Sequence, residues 1–270
     1  MRRIPAGRWA LALALMMGWV AQIGLVMGRE GFMEPRGLAL WVDLEIFTSR
    51  AVWVGMSGIH LLALASFTLR RRETLSGWIV FLLLGFATFI ELCVRGGEVP
   101  THAKMLPAVV LFALLVGRFL RRGQAEEERD RWGHALALGM VGALFTLSAI
   151  SKWSAMGWAW TSGDVHALLI FERGVGEVGL LADLRVWMAH QPGLCGLFAA
   201  GTLLVESTGC LLIFPATRRA WVLAAVAVLL GFMVLPGVGM NLSWILVLCA
   251  LVWSRFGGAP EPSHAESAAA

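Results

Sequence analysis

Apolar runs of about 20 residues, separated by short arginine clusters, recur along almost the whole chain. They cover residues 9–27, 51–69, 77–94, 105–120, 132–152, 197–215, 220–235 and 240–253. A bilayer core has no water to satisfy backbone N–H and C=O groups, so such a run is read as a spanning helix. The pattern predicts an all-α fold, a polytopic membrane helical bundle of about eight transmembrane helices. Composition agrees, since 58% of the 270 residues are hydrophobic and only 15% charged, too few charges for the surface of a water-soluble domain. Residues 1–255 read as a single transmembrane domain, and 256–270, with its Pro and Ala content, as a disordered cytoplasmic tail. The first run follows the basic segment 1–8 like a signal peptide. It is long and lacks a small-residue cleavage site, so it reads as an uncleaved helix.

The basic residues orient the bundle. With the N-terminus inside, fourteen Lys/Arg fall at 1–8, 70–72, 118–131, 218–219 and 255; the other eight of the 22 fall in the alternate connections. This bias is that of a multi-pass protein of a bacterial-type plasma (inner) membrane, with cytoplasmic N- and C-termini and the long 153–193 connection outside. The formal charge of +4 is spent on these clusters and is no nucleic-acid footprint. Membrane lipids, and possible association with other membrane subunits, are the partners it suggests. Trp9, Trp41, Trp78, Trp132, Trp221 and Trp253 sit near run ends, as interfacial anchors do. The four cysteines are dispersed, and the chain has no G-x-G-x-x-G, phosphate loop or H-E-x-x-H, which leaves nucleotide binding and zinc hydrolysis without their local signals.

Ionisable residues inside the apolar runs are the candidate site. Glu206 stands alone in 197–215, where an isolated charge costs about 3 kcal/mol, so it must face other helices or a polar cavity. It is either a neutral acid bonded between helices or a functional group, and Thr202 and Cys210, one turn away on each side, extend it into a polar stripe. His60 lies near the centre of 51–69, either bridging helices or handling a proton. Glu91 has Arg95 four residues on, a spacing for pairing. Lys152 ends the fifth run, either snorkelling to the interface or desolvated enough to act as a base. Asn241 and Ser243 at the start of the last run complete a polar rim. The 153–193 connection is too apolar for a free loop and too charged to span. Short interfacial or re-entrant helices near 164–171 and 179–190 fit, as a cap over a cavity.

Residues 147–163, LSAISKWSAMGWAWTSG, and 203–221, LLVESTGCLLIFPATRRAW, carry a resemblance to a family. They resemble the membrane domain shared by vitamin K-dependent gamma-carboxylase and the bacterial HTTM (horizontally transferred transmembrane) proteins. Ala149, Lys152, Trp160, Gly163, Glu206, Phe214 and Arg219 occupy its pattern, over about residues 140–253. The resemblance implies that Lys152 is a base on the outer side, that Glu206 orients it or relays protons, and that outer tryptophans line the entrance. Catalytic candidates are thus Lys152, Glu206 and His60, and cofactor-binding candidates Trp160 and Asn241. The implied ligand is a quinone or another lipid-like molecule. The four-helix DoxX and MauE-type membrane proteins are a second, shorter resemblance. Three functions stay open from the residues: a membrane enzyme or binding protein, a non-catalytic structural or assembly subunit, and a transporter.

Overall fold

Helices account for almost everything described by the computed structural model, which covers residues 5–27, 45–94, 105–175, 177–235 and 241–254. In order they are α1 (Ala6–Met27), α2 (Arg50–Thr68), α3 (Glu73–Val94), α4 (Met105–Leu120), α5 (Glu126–Met156), α6 (Asp164–Val175), α7 (Leu180–Ala189), α8 (Pro192–Ser207), α9 (Pro215–Val234) and α10 (Asn241–Trp253). Three short 3₁₀ turns, Glu45–Thr48, Gly157–Ser162 and Gly209–Leu212, punctuate them. The all-α architecture is the one the apolar runs demand. Two expectations concern residues outside this description: Arg95 as partner of Glu91, and the 256–270 tail.

Among the described residues, five helical segments are long and apolar enough to cross a membrane: α1, α2, α3, α5 with the turn after it, and α9. A sixth is counted if α7 and α8, bent by 92° at their junction, form one broken span. Eight were expected, and the difference has two causes. The first is length. α4 has 16 residues and α10 has 13, rises of about 24 and 20 Å against a hydrocarbon core of about 30 Å. The second is a break in the 197–215 run. Ser207 and Thr208 turn their hydroxyls back onto the Leu204 carbonyl, at 3.0 and 2.7 Å. Such bonds compete with the helical ladder, and α8 stops there; Pro215, with its fixed φ, starts α9.

The exposed faces of the long helices are apolar: Val54, Ile59 and Leu62 on α2, Leu82 and Phe86 on α3, Leu147 and Ile150 on α5, and Leu223 and Leu230 on α9. Surfaces of this extent are what a lipid-facing bundle presents. Inside, Leu11, Leu15, Trp19, Trp53, Phe67, Ile90, Leu111, Val141, Phe145, Trp221 and Leu248 belong to one continuous core. α1 packs on α10 and against α2, α3 and α4, while α4 and α5 form a hairpin. The polar run 121–131 ends in the first turns of α5. Glu126, Glu127 and Glu128 occupy the first turn of α5, where carboxylates suit the helix dipole.

One end of the bundle is tied by ions. Glu73 at the start of α3 pairs with both Arg8 of α1 and Arg118 of α4. Arg118 reaches on to Asp130, its Nε donating at 3.0 Å. Arg70 pairs with Glu126 and lies 3.4 Å from Asp130. Three arginines and three acids thus neutralise one another across five helix ends. The clusters at 1–8, 70–72 and 118–131, assigned to one side from the sequence, converge here.

Candidate functional site

At the other end of α5 lies the second concentration of polar chemistry. Asp130 and Lys152 are 22 positions apart on one helix, a rise of about 33 Å, so the site sits roughly a membrane thickness from the ion network. α5 and α8 run antiparallel: Gly142 approaches Gly209 beyond the end of α8, while the turn after α5 meets the start of α8 at Gly196. A Cβ on Gly142 would lie 2.7 Å from the Gly209 carbonyl oxygen, so the absence of side chains permits this approach. Helical side chains lean toward their own N-terminus. On antiparallel neighbours Lys152 and Glu206 therefore lean toward each other, and their ammonium and carboxylate Oε1 meet.

The pair is largely enclosed, the Lys152 side chain 20% and the Glu206 side chain 11% exposed. Lys152 Nζ also donates to Ser148 Oγ, one turn back, at 3.2 Å. It lies 5.4 Å from the centre of the Trp160 ring, close enough for a cation–π attraction. Trp160 comes from the 3₁₀ turn Gly157–Ser162. That turn closes on Gly163, whose φ of 86° is left-handed and whose Cβ would lie 2.6 Å from the Pro192 carbonyl oxygen. Only glycine meets both demands at low cost.

Behind Trp160 stands His166 on α6, the ring centres 5.0 Å apart and edge-to-face. His166 in turn meets Phe198 of α8 at 5.8 Å and Phe232 of α9 at 6.3 Å. Burial, and after it the positive charge of Lys152, holds the His166 imidazole below the ordinary histidine range, so it is neutral at pH 7. Three buried polar atoms in this cluster have no hydrogen-bond partner among the described residues: Glu206 Oε2, Trp160 Nε1 and His166 Nδ1. Such atoms are costly when unsatisfied, and they amount to an acceptor, a donor and an imidazole nitrogen in adjoining side chains.

Of the sequence candidates, Lys152, Glu206 and Trp160 come together. Thr202 is buried on α8 but bonds its own helix, donating to the Phe198 carbonyl at 2.9 Å. Cys210 is exposed, because α8 ends at Ser207 and the expected stripe ends with it. His60 is fully buried on α2 and stacks on Trp19 at 4.4 Å. Helix α2 packs on α1 and α3, so His60 belongs to different helices from the Lys152–Glu206 pair. Asn241 starts α10, and its side chain lies outside the described residues; Ser243 is buried.

His166 was passed over in the sequence because no second histidine shares its helix. Its signal was an i, i+4, i+8 stripe: His166, Ile170 and Gly174 are the buried residues of α6. Arg185 was also missed. Its Nε donates to the Val234 carbonyl at 2.9 Å, and its guanidinium pairs with Glu177, fastening α7 to the C-terminal end of α9, where a cation is favourable.

The fold and this site define a helical bundle of membrane type with a largely enclosed ion pair beside Trp160, behind which α6 sets His166. Compared with family models, curated proteins and solved structures, the chain matches none.

Proposed function

We propose that this is a multi-pass membrane protein of the HTTM and gamma-carboxylase-like type, which binds or transforms a quinone or lipid-like molecule at the Lys152–Glu206 pair. The observation that carries the reading is the set of buried, unpartnered atoms around that pair, Glu206 Oε2, Trp160 Nε1 and His166 Nδ1. A ligand hydroxyl would donate to Glu206 Oε2 while its oxygen accepts from Trp160 Nε1. As the carboxylate takes up the proton, the negative charge left on the ligand oxygen faces the Lys152 ammonium, which remains charged. The pair gains one positive charge and the ligand one negative charge, so the step balances without any further reactant. Glu206 is then the proton acceptor and Lys152 the electrostatic partner, with Ser148 fixing the ammonium.

Carboxylases of this type carry a histidine in the helix after the arginine. Here the corresponding α9 positions are Leu229 and Leu230, and the imidazole near the site is supplied by α6. The membrane orientation belongs to the same proposal: the Arg8–Glu73–Arg118 end and both termini cytoplasmic, and α6 and α7 on the outer side.

The test is binding of a short-chain quinol and of extracted membrane lipids to the purified protein, followed by native mass spectrometry. Binding lost in Glu206→Gln and Lys152→Met, with the helical content retained, supports the reading. Binding unchanged in both variants sinks it.

A second reading, an assembly subunit of a larger membrane complex, is favoured by the α6–α7 hairpin. Its tip and outer face expose Val178, Leu180, Leu184 and Trp187. Gentle purification yielding a monodisperse chain without partners counts against that reading.

A further inference from the structure

The ion network neutralises Arg8, Arg70 and Arg118 with Glu73, Glu126 and Asp130, and leaves other guanidinium groups at the same end uncompensated. Arg71 and Arg72, on the turn between α2 and α3, are exposed, and neither side chain has a partner among the described residues. On the neighbouring turn between α4 and α5, Arg122 is exposed, and Arg121 is held over the Trp132 ring at 4.0 Å. The two turns are fastened together by the Arg70–Glu126 and Arg118–Glu73 pairs. Nearby carboxylates are mostly engaged: Glu128 accepts from Trp132 Nε1 at 3.0 Å and pairs with Arg131. Glu127 alone among the first-turn acids of α5 has no partner there.

Arg70 and Arg72 are the two non-glycine residues with positive φ among the described residues, at 60° and 46°. That conformation favours glycine. Arg70 uses it to reach Glu126 and Asp130; Arg72 is exposed, with no side-chain partner among the described residues. Directly beside these arginines the surface becomes apolar, with Leu69, Leu75, Phe119 and Leu120 all about half exposed or more. Positive charge above an apolar collar matches a molecule with an anionic head and hydrocarbon tails.

We propose that Arg71, Arg72, Arg121 and Arg122, set on the adjoining α2–α3 and α4–α5 turns above this collar, form a binding site for the phosphodiester head group of an anionic phospholipid. The arginines contact the phosphate oxygens, and the acyl chains run along Leu69, Leu75, Phe119 and Leu120. The site is about a membrane thickness from Lys152 and does not depend on any ligand there.

The experiment uses the full chain in nanodiscs of phosphatidylcholine mixed with phosphatidylglycerol, the bound lipids being counted by native mass spectrometry. Phosphatidylglycerol is retained in preference to phosphatidylcholine, and Arg71→Gln/Arg72→Gln lowers that preference by about fivefold per guanidinium removed. Both side chains are exposed and have no hydrogen-bond or ion-pair partner among the described residues, so the fold is retained, which circular dichroism checks. The control Arg173→Gln/Arg219→Gln removes the same charge from two exposed side chains on α6 and α9 and leaves the preference intact. Equal retention of the two lipids by the unaltered protein, or equal loss in the control, overturns the proposal.

Discussion

The Lys152–Glu206 pair makes the sharpest prediction, because the two residues must fail together. Replacing Glu206 by Gln keeps the shape of the side chain and removes its charge. The Lys152 ammonium is then left with one hydroxyl, Ser148 Oγ at 3.2 Å, and the Trp160 ring face at 5.4 Å. Breaking a buried ion pair by removing one partner costs about 3 to 5 kcal/mol. The lower end applies here, since the Lys152 side chain is 20% exposed and keeps some hydration. Lys152→Met strands the carboxylate in the same way, at about 3 kcal/mol. With a coupling energy of about 3 kcal/mol, the double variant costs no more than either single one. In thermal unfolding of the detergent-solubilised protein each single variant melts about 6 to 12 °C lower, and the double variant shows the same loss, not twice it. Additive losses, or single variants that melt like the parent, refute the reasoning and place Lys152 in the interface, apart from Glu206.

Three further outcomes follow from the same geometry. His166 is depressed by burial and by Lys152, so the folded state binds fewer protons than the unfolded one, and stability is complete above the ordinary histidine pKa of 6.5. It falls as pH drops below that value, and His166→Phe flattens the decline in melting temperature between pH 7 and 5. Gly163→Ala forces a side chain into left-handed backbone and against Pro192 and Gly196; a loss of at least about 1 to 3 kcal/mol is expected in denaturant titration. His60→Phe keeps the stack on Trp19 and removes two buried ring nitrogens that have no hydrogen-bond partner among the described residues. It melts at or above the parent temperature, and a marked fall instead shows that His60 holds a bound group.

Much of the fold was legible because lipid-facing helices announce themselves by composition. Helices α2, α3 and α4 begin or end within a few residues of the runs read from the sequence, since arginine clusters and glycine turns mark where apolar burial stops. The 153–193 connection was equally legible as two short helices, because it is too apolar for a free loop and too charged to span. The break at Ser207 to Leu212 was not legible. A run of uniform hydrophobicity hides where Ser and Thr hydroxyls win the competition for a carbonyl, and that depends on what packs behind them.

The site divides along the same line. Lys152 and Glu206 were selected by residue type alone, since an ionisable group in an apolar run is costly wherever it lies. That the two meet, 54 positions apart, depends on the antiparallel approach of α5 and α8 through Gly142 and Gly209, which no local pattern contains. His60 was selected by the same criterion as Lys152, yet it sits on helices that pack elsewhere. His166 was selected by nothing stronger than one stripe on a short helix, yet tertiary packing sets it behind Trp160. Composition and periodicity determine which residues must be buried, because transfer from water is a property of each side chain. Which buried residues face one another is decided only when the helices pack, because that is a property of pairs of surfaces distant in the chain.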